Sequence, residues 1–173
     1  MNTIPNSDQC FRLLREAGCS DEVINHCEAV RKVAVKIAEK AHANIKLVEA
    51  GAILHDIGRS KTQGIMHGVE GAKIATELGL PASIVNIIER HLGAGIPLDE
   101  AMMLGLPPKD YMPTTLEEKI VAHADNLIDN DREHTIEKEV EKALRKGHTK
   151  HAERLMMLHR ELSQRCGIDL NDI

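Results

Sequence analysis

The chain has 173 residues, a formal net charge of −5, a pI near 6.1 and only two aromatic residues, Phe11 and Tyr111. This length fits one domain with a hydrophobic core. The acidic balance argues against a long nucleic acid as a partner, because binding by charge needs a clustered basic surface, and the few aromatic rings exclude a base-stacking platform.

The cysteine and hydropathy patterns indicate a cytoplasmic protein. The four cysteines, Cys10, Cys19, Cys27 and Cys166, show no CxxC spacing, and the polar opening lacks the apolar segment of a secretory leader. No run approaches the ~20 apolar residues that cross a bilayer. We therefore expect reduced thiols and no membrane association.

Helical periodicity dominates the chain, and no stretch alternates polar and apolar residues over the length of a strand. Capping residues and glycines predict a first helix from Ser7 to Gly18, a second from Ser20 to about Ala43, and a third from Asn44 to near Gly58. Further helices are predicted at about 67–78, 81–91, 116–129, 136–146 and 150–165, with a loop at 59–66. Thr115 and Glu118 form a capping-box pattern before the helix at 116.

The segment from Gly93 to Pro113 is the least regular, with several glycines and four prolines around one short helical turn. It is a candidate lid or substrate loop. The pattern as a whole predicts a single all-α domain over residues 1–173, with a core at about 20–130. The charged helices at 131–166 are expected either to pack on this core or to form a homodimer face.

Four of the ten histidines occupy inward-facing or helix-end positions where a site can form. His26 lies beside the apolar stripe of the second helix, His55 closes an apolar helix, His67 begins a helix, and His91 ends the apolar run ASIVNII. The other histidines are expected elsewhere: His42, His134, His148, His151 and His159 in charged, exposed segments, and His123 pointing away from Asp125.

The stretch 51-GAILHDIGR-59 places His55 and Asp56 together at the end of an apolar run, and Asp125 lies on the helix IVAHADNLI. Helix capping would explain either His55 or Asp56 but not both. A buried carboxylate is costly unless it is paired or coordinates a metal. His26, His67 and His91 complete a set of six ligands. This set fits one or two divalent transition-metal ions, with Fe, Mn, Co, Ni and Zn all open.

These residues resemble the H…HD…D signature of the HD-domain metal-dependent phosphohydrolases. The likeness rests on His26, on HDIG, and on Asp125 in ADNLI, and spans about residues 20–130 of an HD-type helical bundle. His67 in HGVEGA and His91 in ERHLGAG resemble the extra histidines of the dinuclear branches. Nothing matches the GYP part of the HD-GYP pattern, so cyclic di-GMP is not implied.

The resemblance implies that one ion is bound by His26, His55, Asp56 and Asp125, and a second by the bridging Asp56 with His67 and His91. It implies a phosphomonoesterase, phosphodiesterase or pyrophosphohydrolase that acts on a small phosphorylated metabolite or nucleotide through a metal-activated water. Asp56 and Arg59 are the predicted catalytic residues. The predicted substrate-binding residues are Arg59, whose guanidinium can hold two phosphate oxygens, Lys61, Arg90, and Tyr111 as a ring that could stack on a base.

Two other functions use the same fold. Mixed-valent di-iron oxygenases such as myo-inositol oxygenase have the same six ligands, which therefore do not separate hydrolysis from oxygen chemistry. Some HD domains are non-catalytic ligand-sensing modules, but those usually lose ligands, and here all six positions are filled. The Arg after HDIG and the short chain favour hydrolysis.

Overall fold

The computed structural model describes residues 3–173, and most of them are helical. The α-helices are α1 (Ser7–Ala17), α2 (Asp21–Ala41), α3 (Ile45–Leu54), α4 (His67–Glu77), α5 (Ala82–Glu89), α6 (Leu98–Met103), α7 (Leu116–Asn126), α8 (Ile136–Arg145) and α9 (Thr149–Cys166). Short 3-10 helices lie at Ile57–Ser60 and Leu170–Asp172, and a hairpin of β1 (Ile128–Asp129) and β2 (Arg132–Glu133) follows α7. The predicted all-α fold class is confirmed.

Side-chain caps begin several helices at the expected residues. Ser20 accepts a hydrogen bond from the Val23 amide, and Asn44 and Thr115 cap α3 and α7 in the same way. The first helix differs by one residue, because Asn6 rather than Ser7 is its cap and forms a reciprocal capping box with Gln9.

Helix α2 packs against α3, α7 and α9, so three of the segments that carry candidate ligands, α2, α7 and the end of α3, share one core. Val33 and Ile37 of α2 lie in a buried cluster with Ile120 of α7 and Leu155 of α9. A second cluster joins α1, α3 and α5. Among the described residues, no helix combines the length and apolar character that crossing a membrane requires.

Helix α3 ends at Leu54, four residues before the predicted stop at Gly58. His55 and Asp56 then form a turn that leads into the 3-10 helix. The Gly58 backbone lies directly against the start of α4, and a Cβ atom there would stand 1.8 Å from the His67 carbonyl oxygen. Gly58 is therefore required for this close approach and not as a helix stop.

The segment at 93–113 packs against the body of the protein. Ile96 and Tyr111 pair as an antiparallel bridge, and Arg154 of α9 donates hydrogen bonds to both Glu100 carboxylate oxygens, at 2.9 and 2.6 Å. Tyr111 is 2% exposed, and its hydroxyl donates to the Pro107 carbonyl oxygen.

A buried histidine pair links α7 to α9, so the expectation that His159 is exposed was wrong. His159 Nε2 donates to Asp169 at 2.9 Å, and His123 Nε2 therefore donates to His159 Nδ1 at 2.9 Å. Burial, together with the neighbouring imidazole, lowers the pKa of His123 to about 3 and keeps it neutral. The spacing of Leu155, Leu158 and Leu162 was the signal that His159 borders an apolar stripe.

We expect His159→Ala to destabilise the protein by about 2 kcal/mol or more, because His123 Nε2 would keep a buried N–H without an acceptor. Asp169→Asn is the matched control, since asparagine retains an acceptor oxygen at a mostly exposed position; its cost should stay under about 0.5 kcal/mol. Urea denaturation of both variants measures the difference. Equal losses of stability in the two variants would contradict the conclusion that His159 stabilises the protein by accepting the buried His123 N–H group.

Candidate metal centre

The six predicted ligands come from five segments and converge on one point of the core. His26 lies within α2, Asp125 in the last turn of α7, and His67 at the first residue of α4. His55 and Asp56 follow α3, and His91 follows α5. Ligand atoms of His26, His55 and Asp125 lie within 4.8 Å of one another, as do those of His55, Asp56 and His91.

The Asp56 carboxylate lies between two sets of imidazoles. Its Oδ1 atom is 3.2 Å from His67 Nε2 and 3.3 Å from His91 Nε2. Its Oδ2 atom is 3.6 Å from His55 Nε2 and 3.7 Å from His26 Nε2. Each oxygen thus faces a different pair of imidazoles, which is the geometry of a carboxylate that can bridge two cations.

Asp125 completes the set on the Oδ2 side. Its Oδ1 atom lies 2.9 Å from His26 Nε2 and 3.5 Å from His55 Nε2. One half of the centre is therefore surrounded by two imidazoles and two carboxylates, from His26, His55, Asp56 and Asp125. The other half is surrounded by His67, His91 and the shared Asp56 carboxylate.

The imidazoles of all four candidate histidine ligands are oriented by backbone carbonyls, which accept a hydrogen bond from each Nδ1–H group. The acceptors are Ala52 for His55 (2.6 Å), Gly64 for His67 (2.8 Å), Ile88 for His91 (2.7 Å) and Asn130 for His26 (2.5 Å). Because a carbonyl oxygen only accepts, Nδ1 carries a proton in each ring, and in its neutral form the ring presents an Nε2 lone pair to the centre. This arrangement is typical of metal-binding histidines.

The donor set fits a divalent transition metal. His55 Nε2 and Asp56 Oδ1 are buried without a hydrogen-bond partner, which is costly in the absence of a ligand. His67 Nε2 and His91 Nε2 lie 3.1 Å apart, so two lone pairs face each other unless a cation or a proton lies between them. Nitrogen and carboxylate donors together suit ions of borderline softness.

Electrostatic coupling sets the ionisation of the metal-free centre. Burial alone would raise the pKa of Asp56, but the charge of His55 and the neighbouring imidazoles of His67 and His91 hold it well below its usual range. Burial would lower the pKa of His55, but the charge of Asp56 raises it well above 6.5. A cation must displace protons from such imidazoles, so metal affinity rises with pH.

An open cavity of about 580 Å³ leads to the centre. Its lining residues are Glu22, Val23, Asn25, His26, Asp56, Arg59, Asn130 and Asp131. Arg59 Nε donates to Asp56 Oδ2 at 2.8 Å, and its Nη1 atom lies 3.3 Å from the Gln63 carbonyl oxygen. Arg59 is thus the predicted substrate-binding residue that the structure places at this cavity.

The other predicted substrate residues lie elsewhere. Arg90 binds the buried carboxylate of Glu118, with its Nη1 atom 3.1 Å from Oε2. Tyr111 is buried and has no free ring face for stacking on a base. Lys61 is exposed in the 59–66 segment. The sequence interpretation missed Asn130, for which the polar run DND after an apolar helix was a turn signal.

Comparison with known proteins assigns the family and leaves the substrate open. The HD domain family model matches residues 23–130. The tRNA (cytidine(56)-2'-O)-methyltransferase of Thermoplasma volcanium is 48% identical over 170 residues, which is 98% of this chain but 50% of that protein. An uncharacterized protein of Methanocaldococcus jannaschii is 48% identical over 153 residues, covering 84% of this chain and 90% of that one.

The chain thus spans about half the length of the curated methyltransferase that it matches. Among solved structures, the HD domain of the L. monocytogenes phosphodiesterase PgpH in complex with cyclic-di-AMP matches 90% of this chain and 96% of that domain, with a TM-score of 0.59 and 17% identity. Fold and family model agree, and the chain belongs to the HD domain family.

Proposed function

We propose that this protein is a metal-dependent phosphohydrolase that cleaves a phosphodiester bond in a small nucleotide. The observation that carries the proposal is the Asp56 carboxylate, whose two oxygens face separate imidazole pairs at 3.2–3.7 Å. When bound, a pair of divalent cations supplies a Lewis acid for the phosphoryl oxygens and lowers the pKa of a water molecule.

The residues of the chain have distinct roles in this reaction. His26, His55 and Asp125 would hold one ion and His67 and His91 the other, with Asp56 available to both. Hydrogen bonds from each Nδ1 to a backbone carbonyl keep the rings in place, so little reorganisation is needed during the reaction.

Arg59 has two tasks at the mouth of the centre. Its Nε–H group orients Asp56, and its Nη1 group also contacts Gln63. The guanidinium lines the cavity, where its Nη2 group can hold a phosphate oxygen. A positive group is needed there because Glu22 and Asp131 also line the cavity and would repel an anion.

The substrate class follows from the cavity and the relatives. A volume of about 580 Å³ accommodates a ligand of nucleotide size. The nucleotide in the PgpH complex supports this class. The methyltransferase name belongs to a relative twice as long as the aligned region, whereas the M. jannaschii relative aligns over 90% of its length. We therefore propose hydrolysis, and not methyl transfer, for this chain.

Activity on a defined substrate panel tests the proposal. The metal-free protein is loaded with Mn²⁺, Co²⁺ or Fe²⁺ and assayed with bis-p-nitrophenyl phosphate, p-nitrophenyl phosphate, cyclic-di-AMP and ATP. We expect diester hydrolysis that requires the metal and stops on addition of a chelator. A metal-loaded protein inert toward every phosphate compound would contradict hydrolysis, and oxygen consumption by the iron form would favour the oxygenase alternative.

A further inference from the structure

The four candidate histidine ligands differ in how their Nδ1 protons are held. His55, His67 and His91 each donate to a carbonyl three residues earlier in the chain, so their ring orientation is set by local backbone. His26 donates instead to the carbonyl oxygen of Asn130, which is 104 residues away. The orientation of His26 therefore depends on the placement of a separate segment.

That segment is the two-residue turn of the hairpin after α7. Ile128 pairs with Glu133 and Asp129 with Arg132, which leaves Asn130 and Asp131 at the turn. Asn130 has a φ angle of 58°, in the left-handed region that asparagine and glycine tolerate better than other residues. This conformation is part of the geometry that directs the Asn130 carbonyl toward His26.

The turn is held firmly in place. Ile128 is buried in the same hydrophobic cluster as α2. After the hairpin, the His134 amide donates to the Leu127 carbonyl oxygen at 2.9 Å, and its Nε2 atom donates to the Asn126 carbonyl oxygen at 2.8 Å. The hairpin is thus fixed to the end of the helix that carries Asp125, and it provides a rigid support for His26.

We propose that Asn130 is a positioning residue whose left-handed backbone fixes the ring of His26 and thereby sets the affinity for the ion held by His26, His55 and Asp125. The inference rests on the metal centre of the proposed function. Asn130 and Asp131 also line the cavity. A substrate that touches the turn therefore acts on His26, and binding of substrate and of this ion are thermodynamically linked.

Three substitutions of Asn130 test the proposal by the order of their metal affinities. Asn130→Gly keeps both the carbonyl and the left-handed conformation, Asn130→Ala disfavours that conformation, and Asn130→Val disfavours it most because its side chain is β-branched. Cobalt(II) affinity is measured by visible absorption against a competing chelator. We expect the Gly variant to stay within about threefold of the unaltered protein and the Val variant to bind about 10–100-fold more weakly, with Ala between.

Two further readouts separate positioning from a general loss of structure. The thermal transition of each metal-free variant shows whether the fold persists. The ring Nδ1–H signal of His26, followed by NMR in ¹⁵N-labelled metal-free protein, should remain protected from exchange in the Gly variant and lose protection in the Val variant.

The outcomes are distinct. A folded Val variant that binds cobalt as tightly as the unaltered protein overturns the role of Asn130. If the Val variant does not fold, equal affinities of the Ala and Gly variants overturn it as well. Absence of cobalt binding by the unaltered protein would instead overturn the metal centre itself.

Discussion

Asp56→Asn should lower the rate of phosphodiester hydrolysis by at least about a thousandfold. Loss of a single hydrogen-bond donor at an active site already lowers kcat by about 10²–10³-fold. Asparagine has the shape of aspartate but presents one oxygen and one NH₂ group. Whichever way the amide turns, either the His67–His91 pair or the His26–His55 pair meets N–H hydrogens where a carboxylate oxygen had been. Steady-state kinetics and metal content per chain measure the effect.

The control for this substitution is Asp99→Asn, which makes the same chemical change at an exposed residue of α6. It should leave both the rate and the metal content unchanged. If Asp56→Asn retained more than about a tenth of the activity with its full metal content, Asp56 would not be the shared ligand, and the proposed dinuclear arrangement would be wrong.

Features that depend on neighbouring residues could be predicted from the sequence. Helix starts at Ser20, Asn44 and Thr115 follow from side chains that accept a hydrogen bond from an amide three residues ahead. Candidate ligand positions could also be proposed from the sequence, because an ionisable residue at the end of an apolar run, as at His55 and Asp56, needs a partner in the core.

Features that depend on distant residues could not be predicted. The hairpin has two residues per strand, too few for an alternating pattern, and its contact with His26 joins residues 104 positions apart. Arg90 and Tyr111 have the right chemistry for substrate binding, but Glu118 and the core already hold them. The sequence shows what a side chain can bind, whereas packing decides which partner it meets.

Gly58→Ala should destabilise the metal-free protein by at least about 3 kcal/mol, at or beyond the upper end of ordinary overpacking. The new Cβ would stand 1.8 Å from the His67 carbonyl oxygen and 2.5 Å from the Gly71 amide nitrogen. Both are backbone atoms, so no side-chain rotation relieves the clash, and the start of α4 must move. Because His67 is the first residue of that helix, metal affinity should fall together with stability.

Gly68→Ala is the matched control, because Gly68 lies next to His67 in the first turn of α4. A Cβ atom at Gly68 would lie 3.4–3.5 Å from its nearest neighbours, which include the Glu89 carbonyl oxygen, and this is an ordinary contact distance. Alanine also favours a helix over glycine, so its stability should change by less than about 1 kcal/mol. Denaturant unfolding and cobalt titration of both variants give the comparison. If Gly58→Ala were as mild as Gly68→Ala, the close approach of the HDIG turn to α4 would not position His67. A loss of cobalt affinity confined to Gly58→Ala would show that the glycine of HDIG holds one ligand helix against the segment that carries Asp56.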